Sequence, residues 1–304
     1  MKKIKTNQLG AIIMLVFAGM IWGGSFVVVK DSLDYITPLW QLALRLGVAV
    51  IPSVVLAIIN IRKWNFRIIK KGIILGLIFS AALISQNKGM QYVSASKSAF
   101  LTGTYVAFLP LFEMLFLRKK IQPRRIAAAL ICTAGAALLT IQGRFVPEWG
   151  DLSLLLCGAM YAVHLIYIDE NMDINPVLLH IGQIVTAAVI CMVVAFIFEP
   201  VPQKVSVRCV PGLLYCGILE VFVGFFFQLI GQKNASTSIS AILLSMEAVY
   251  GALFSAIFLG DKMNVKMAVG SALIVASAIV NGLGGNDRGD CSAKTVRKND
   301  SSGK

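Results

Sequence analysis

Charge is what this chain has least of. Only 14% of its 304 residues are Asp, Glu, Lys or Arg, while 57% are hydrophobic and the mean hydropathy is +0.79. Soluble domains carry about 25% charged and roughly 45–50% apolar residues, so the composition excludes a water-soluble globule. Catalytic signatures are missing too. There is no Walker A sequence, no His-Glu-x-x-His, no Gly-x-Ser-x-Gly and no adjacent carboxylate pair within an apolar run, which argues against direct use of ATP and against an intramembrane hydrolase. Histidine occurs twice, and the six cysteines form no Cys-x-x-Cys. Cys132, Cys157, Cys191, Cys209 and Cys216 fall within or beside apolar runs, where a thiol acts as a small hydrophobe, and Cys291 lies near the C-terminus. Neither disulfides, nor a metal, nor any other cofactor is expected.

What is present is a series of long apolar runs. A bilayer core takes about 20 apolar residues in helical form, whereas barrel strands show weak alternation over roughly ten residues. The runs here are continuous, so the predicted class is an all-α integral membrane protein. Ten spans follow, at about 10–29, 36–59, 72–87, 92–117, 126–142, 150–168, 177–198, 209–230, 235–259 and 265–284. The first has no small-residue cleavage site and is expected to remain in the mature protein. Residues 285–304 are polar and read as a disordered cytoplasmic tail.

The formal net charge of +13 is a topology signal, not a sign of nucleic acid. Basic clusters stand at Lys2, Lys3 and Lys5, at Arg62 to Lys71, at Arg118 to Arg125 and in the tail. With both termini cytoplasmic, nineteen Lys and Arg lie inside against seven outside, as the positive-inside rule requires.

The chain also repeats itself. Ala95-Ser96-Lys97-Ser98 is echoed by Ala235-Ser236-Thr237-Ser238, Gly19-Met20-Ile21-Trp22 by Gly158-Ala159-Met160-Tyr161, and Pro38 with Arg45 by Pro176 with Gln183. The implied halves are 1–145 and 146–284. Each holds five spans, an odd number, so the second copy enters the membrane in the opposite orientation: two inverted five-helix repeats.

Several segments carry a family resemblance. Ile21-Trp22-Gly23-Gly24-Ser25-Phe26 is similar to the first-helix Trp-Gly-x-x-Phe of the drug/metabolite transporter superfamily, specifically the EamA-type ten-helix permeases. Leu44-Arg45-Leu46 resembles the second helix of that family, Tyr92 to Leu101 with Pro110 the fourth, and Ser245-Met246-Glu247-Ala248-Val249 the Glu-Pro segment of the ninth, with Ala248 where the family usually has proline. The resemblance covers residues 10–284. It implies export or exchange of small metabolites across a bacterial plasma (inner) membrane.

Intramembrane charge costs about 2.5–3.5 kcal/mol on insertion scales, so each charged residue needs a partner or an aqueous cavity. Arg45 and Glu247 lie near mid-depth, where they form either a structural ion pair or a substrate and proton site; Glu247 is the proton-coupling candidate, ahead of Glu220 and Glu113. Lys97 either snorkels to the outer interface or meets a substrate carboxylate, with Thr102 and Thr104 deeper in the span. When the repeat is laid over itself, Trp22 meets Tyr161, Ser25 meets His164, Arg45 meets Gln183 and Lys97 meets Thr237. His180 shares a face with Gln183, and Tyr105 and Tyr250 either line a path or pack between helices. The substrate-binding candidates are therefore Trp22, Ser25, Arg45, Lys97, Thr104, Tyr161, His164, Gln183 and Glu247; the bland alternative is interface belts and interhelical hydrogen bonds. Small residues in spans five and ten read as scaffold, with a homodimer face as the alternative. The expected activity is alternating-access transport of amphipathic metabolites such as amino acids, with a small-molecule substrate and the bilayer as partners and no nucleic acid. A membrane-embedded enzyme, a sensor and a channel are the competing classes.

Overall fold

The computed structural model describes residues 2–141, 148–254, 256–257 and 265–282. The tail and Cys291 lie outside them. Among the described residues there are helices and no strands. Four spans are continuous or nearly so in the first half: α1 (Lys2–Ser32), α2 (Pro38–Ile59), α3 (Phe66–Met90) and α4 with α5 (Ala95–Gly103, Tyr105–Leu117), followed by α6 (Pro123–Thr140). The second half runs α7 (Trp149–Asp169), α8 (Pro176–Phe198), α9 (Val210–Leu214), a π-helical segment Tyr215–Gly224, α10 (Phe225–Asn234), α11 (Thr237–Leu244), α12 (Glu247–Phe254) and α13 (Val265–Gly282). Eight spans are long and apolar enough to cross a membrane; α6 and α13, packed on one another, complete ten.

The start signals are local. Pro38, Pro123 and Pro176 sit in the first turn of their helices, where the missing N–H costs nothing. Asn65, Ser94, Asn175 and Ser236 each accept an amide hydrogen of their own first turn. The N-terminus of α2 is capped from far away: Glu199 Oε2 accepts from the amides of Leu39 (2.9 Å) and Trp40 (3.3 Å), while Oε1 takes a 2.6 Å bond from Lys88 Nζ. The fourth and ninth spans break at Thr104 and at Ser245–Met246. Proline is not the cause in either case, since Pro110 lies inside α5 and Ala248 inside α12.

Duplication is visible as geometry. A Cβ built on Gly76 would lie 3.0 Å from Gln183 O and 2.5 Å from Thr186 Cβ; one on Gly217 would lie 2.6 Å from both Arg45 O and Val48 Cβ. Gly89 meets Leu154 and Gly150 as Gly231 meets Leu15 and Ala11, and Gly158 meets the carbonyls of Leu101 and Thr102 as Gly19 meets those of Leu243 and Leu244. Every one of these contacts joins opposite halves. Likewise α3 packs on α7 as the π segment and α10 pack on α1, and α4 and α5 pack on α7 as α11 and α12 pack on α1. Lipid gives no hydrophobic drive for helix association, so such close approach is what holds the halves together.

The geometry corrects the register of the echo. Ser94 and Ser236 are the equivalent caps, bonding the amides of Lys97 and Ile239 respectively, so the fourth and ninth spans superpose at an offset of 142, not 140, and Lys97 stands opposite Ile239. The third and eighth spans differ in a further way. Gly76 and Gly89 are 13 residues apart, whereas Gly217 and Gly231 are 14 apart. The additional residue is absorbed by the wide turns of the π segment, so both glycines still find matching partners.

Polar side chains are buried within a largely apolar interior, and the outside is apolar as well. Arg45, Asn87, His164, His180, Gln183 and Gln232 are fully buried, while Ile51, Ile58, Leu130, Val189 and Phe198 face outward, as expected for a protein with lipid around it. At one end lie the pairs Arg67–Asp173 and Lys119–Glu170; at the other lie Lys88–Glu199 and Lys97 with Glu148 and Asp151. Loops of like parity are thus gathered at like ends.

Two predictions follow from this packing. Gly217→Ala drives a methyl into Arg45 O and should lower stability by about 1–3 kcal/mol, whereas Gly47→Ala, which has open space around it, should be neutral or stabilising by about 0.5–1 kcal/mol; thermal melts in detergent compare them, and equal melts would contradict the crossing. Burial alone would raise the Glu199 pKa, but Lys88 and the α2 amides hold the carboxyl below the ordinary range. Its contribution is therefore present above the unfolded carboxylate pKa of about 4.3 and lost as pH falls through the lower folded value. Glu199→Gln should melt earlier than the parent at pH 7 and converge with it in acid.

Candidate functional site

Between the halves lies a narrow cleft with a free volume of about 20 Å³. Its walls come in related pairs: Trp22 with Tyr161, Phe26 with Leu165, Gln86 with Gln228, Thr102 with Leu244, and Tyr105 with Glu247. Within each pair the residues are 139 apart for the first and sixth spans and 142 apart for the others, the offsets that also relate Gly19 to Gly158 and Gly89 to Gly231. The cleft therefore sits on the axis relating the repeats. Ser25, Glu220 and Phe225 complete the lining.

Aromatic rings form one continuous wall. Trp22 and Phe225 lie with centroids 4.5 Å apart, Phe225 and Tyr161 stack at 6.3 Å, and Tyr105 meets Tyr161 edge-on at 6.4 Å. Trp22 is oriented by its Nε1, which donates to Glu220 O at 3.3 Å, and Ser25 Oγ donates to Trp22 O at 2.9 Å.

Arg45 does not pair with Glu247. Its Nη1 makes a two-pronged contact with Glu220, at 2.9 and 3.1 Å, and its Nη2 donates to Asn87 Oδ1 at 3.0 Å. Asn87 in turn donates to Gln41 Oε1 (2.7 Å) and to Pro38 O (3.0 Å). The arginine thus lies behind the cleft and holds one of its two carboxylates. Glu220 is fixed and neutralised across the second and eighth spans.

Glu247 is held differently. It opens α12, at the break in the ninth span, is 3% exposed, and its Oε1 accepts no hydrogen bond among the described residues. The Tyr105 hydroxyl at the related position is likewise unpartnered.

His164 and Gln183 form a second layer. His164 Nε2 donates to Gln183 Oε1 at 2.8 Å, and Gln183 Nε2 donates to His180 Nδ1 at 3.2 Å; His164 packs against Phe79 and Phe225. Lys97 is outside the cleft. Its ammonium sits 2.8 Å from Asp151 and 3.1 Å from Glu148, on the capping box that starts α7, which fits an interface residue and not a cavity cation. Thr104 is also turned away: its hydroxyl donates to Leu101 O at 2.5 Å and fills the space over Gly158. Of the nine residues singled out from sequence, Trp22, Ser25, Tyr161 and Glu247 line the cleft, Arg45, His164 and Gln183 back it, and Lys97 and Thr104 do neither. The paired glutamines Gln86 and Gln228 went unnoticed because an offset of 140 does not align them. Glu113 lies elsewhere, bonded to Arg125.

The Arg45–Glu220 pair makes a direct prediction. Arg45→Met leaves a buried carboxylate uncompensated and should cost about 3–5 kcal/mol, while Arg45→Met with Glu220→Met should recover most of that loss. Detergent melts of the single and double variants test it; a double variant no better than the single would show that the pair is not coupled.

Comparison with known proteins gives the same architecture a family. The EamA-like transporter family model matches residues 9–141 and again 148–283. The chain is 25% identical to an uncharacterized transporter of Archaeoglobus fulgidus, over 90% of its own length and 86% of the relative, and 24% identical to the uncharacterized transporter YoaV of Bacillus subtilis, over 86% and 93%. A solved crystal structure superposes with a TM-score of 0.74 at 18% identity, covering 90% of this chain and 96% of the other, which bears on the fold alone. With both halves matched by its model, the chain belongs to the EamA-like transporter family.

Proposed function

We propose that this membrane transporter is a secondary carrier that exports or exchanges small amphipathic metabolites by alternating access, with residues 1–145 and 146–284 as its two inverted repeats. The observation that supports this best is the cleft itself: a buried, aromatic, acid-bearing space on the axis between halves, walled by equivalent positions of both. An inverted-repeat carrier places its substrate there, because rocking one half against the other then exposes the same site to either side. In this reading Lys97 with Glu148 and Asp151 serves as a gate on one side of the cleft, and Arg125 with Glu113 and Lys119 with Glu170 as gates on the other. Ion pairs at both ends suit gates that break alternately. The positive-inside distribution supports an inner-membrane location with both termini cytoplasmic.

In this reading Glu247 couples transport to protons. It shares the lining of the cleft with Tyr105, Tyr161 and Glu220 and makes no ion pair among the described residues. Purified protein in proteoliposomes, offered labelled metabolites with and without a pH gradient, should show gradient-dependent uptake. Glu247→Gln should abolish the pH dependence of uptake; an unchanged pH dependence would remove it as the coupling group, and absence of movement for every solute under every gradient would defeat the carrier reading.

A further inference from the structure

We infer that the substrate is an organic monocation: an amine or quaternary ammonium group on an apolar or aromatic body, with no carboxylate of its own. This rests on the carrier reading and narrows its cargo.

The inference starts from the charges in and around the cleft. Two carboxylates line it, those of Glu220 and Glu247, and the lining includes no Lys, Arg or His. Glu220 is already matched by Arg45, whose guanidinium also donates to Asn87 and is not part of the lining. One carboxyl group, that of Glu247, is left without a cationic partner among the described residues. Glu247 Oε1 and Gln228 Oε1 are buried acceptors without donors, and the Tyr105 hydroxyl is unpartnered beside them. Each such orphan is a cost that the right ligand removes. An ammonium brings up to three N–H donors and a positive charge, and no acceptor that would face the acids.

The walls point the same way. Trp22, Phe225, Tyr161 and Tyr105 present contiguous rings, and a cation within about 6 Å of a ring face is attracted by its quadrupole, most strongly when desolvated. A substrate carboxylate would meet the opposite situation. Of the two alternatives the sequence left for Lys97, the one that would receive a substrate carboxylate is not realised, because Lys97 is engaged with Glu148 and Asp151 at the end of the span. A zwitterion entering the cleft would bring its negative group toward two carboxylates with no basic side chain on the walls.

The two repeats also differ in a way that makes the cleft acidic. Both acids come from the second copy: where it has Glu247 the first has Tyr105, and where it has Glu220 the first has Phe79. The first copy thus supplies rings and the second supplies charge, across one space.

Three labelled probes of similar size test this on the full-length protein: phenethylamine (cation), phenylalanine (zwitterion) and 3-phenylpropionate (anion). Scintillation proximity binding in detergent and uptake into proteoliposomes should both favour phenethylamine, by about tenfold or more over either of the others. Glu247→Gln should weaken phenethylamine binding by about 10- to 100-fold in protein that still elutes as the folded parent does, while Lys63→Gln, at an exposed residue bonded to Asn60, should leave binding within about twofold. Equal or stronger handling of phenylalanine or 3-phenylpropionate would overturn the cation assignment and leave the carrier reading standing. Phenethylamine binding insensitive to Glu247→Gln would overturn it too. If none of the three binds while another solute is transported, the assignment falls alone; if no solute moves at all, the carrier reading falls with it.

Discussion

The close approach of helices from opposite halves is the constraint on which the rest of this molecule depends. In lipid, apolar faces gain little from leaving their surroundings, so association needs backbone contact and polar matching. Here each supplies part of the interface. Glycines at 19, 76 and 89, with their mates at 158, 217 and 231, let α1, α3, α7 and the π segment lie against carbonyls and side chains of the other repeat. The same crossing that brings Gly217 onto Arg45 O puts the Arg45 guanidinium within reach of Glu220. Neither half could bury its own polar residues alone, and the interleaving is what turns two five-helix units into one enclosed space.

Within that frame the interior divides into layers. Next to the axis are rings, two glutamines and two acids. Behind them are side-chain relays, one running from Glu220 through Arg45 and Asn87 to Gln41, the other from His164 through Gln183 to His180. The relays occupy related places, because Arg45 and Gln183 are equivalent residues of the second and seventh spans. Their chemistry differs. One relay carries a formal ion pair that fixes a wall carboxylate; the other is built from neutral hydrogen bonds and supports rings. The symmetry sets where polar groups can sit, and the individual side chains set what they do.

Much of this was legible in the sequence, for identifiable reasons. Ten spans and their duplication followed from hydropathy and motif echoes, since bilayer thickness sets span length and inverted copies need an odd count. Boundaries were less legible. Helix α3 starts at Phe66, six residues before the apolar run, because Asn65 caps it and a helix can carry Arg67, Lys70 and Lys71 through the interface. The breaks at Thr104 and Ser245–Met246 occur without proline there, so composition did not announce them. The site was half legible. Trp22, Tyr161 and Glu247 are conspicuous as deep polar or aromatic groups, but whether Arg45 pairs with Glu247 stayed open in the sequence, since Glu220 is deep as well and only three dimensions show which acid the guanidinium reaches. Lys97 misled because hydropathy cannot see the Glu148–Asp151 capping box across the gap between spans. The two-residue error in register, harmless for recognising the repeat, was enough to hide Gln86 and Gln228 from each other.

The single additional residue within the π segment has a consequence for how the halves could exchange roles. In a regular α-helix it would turn everything beyond it by about 100°, carrying Gln228 off the cleft and Gly231 off Leu15. The wide turns prevent this, so the two copies remain interchangeable in shape. They are not interchangeable in charge, because Glu220 and Glu247 both belong to the second. For the proposed carrier this means that the two open states, related by the pseudo-two-fold axis of the repeats, are unequal in energy: each exposes the acidic copy to water along a different route, so the resting orientation favours one side of the membrane before any ligand or gradient acts on it.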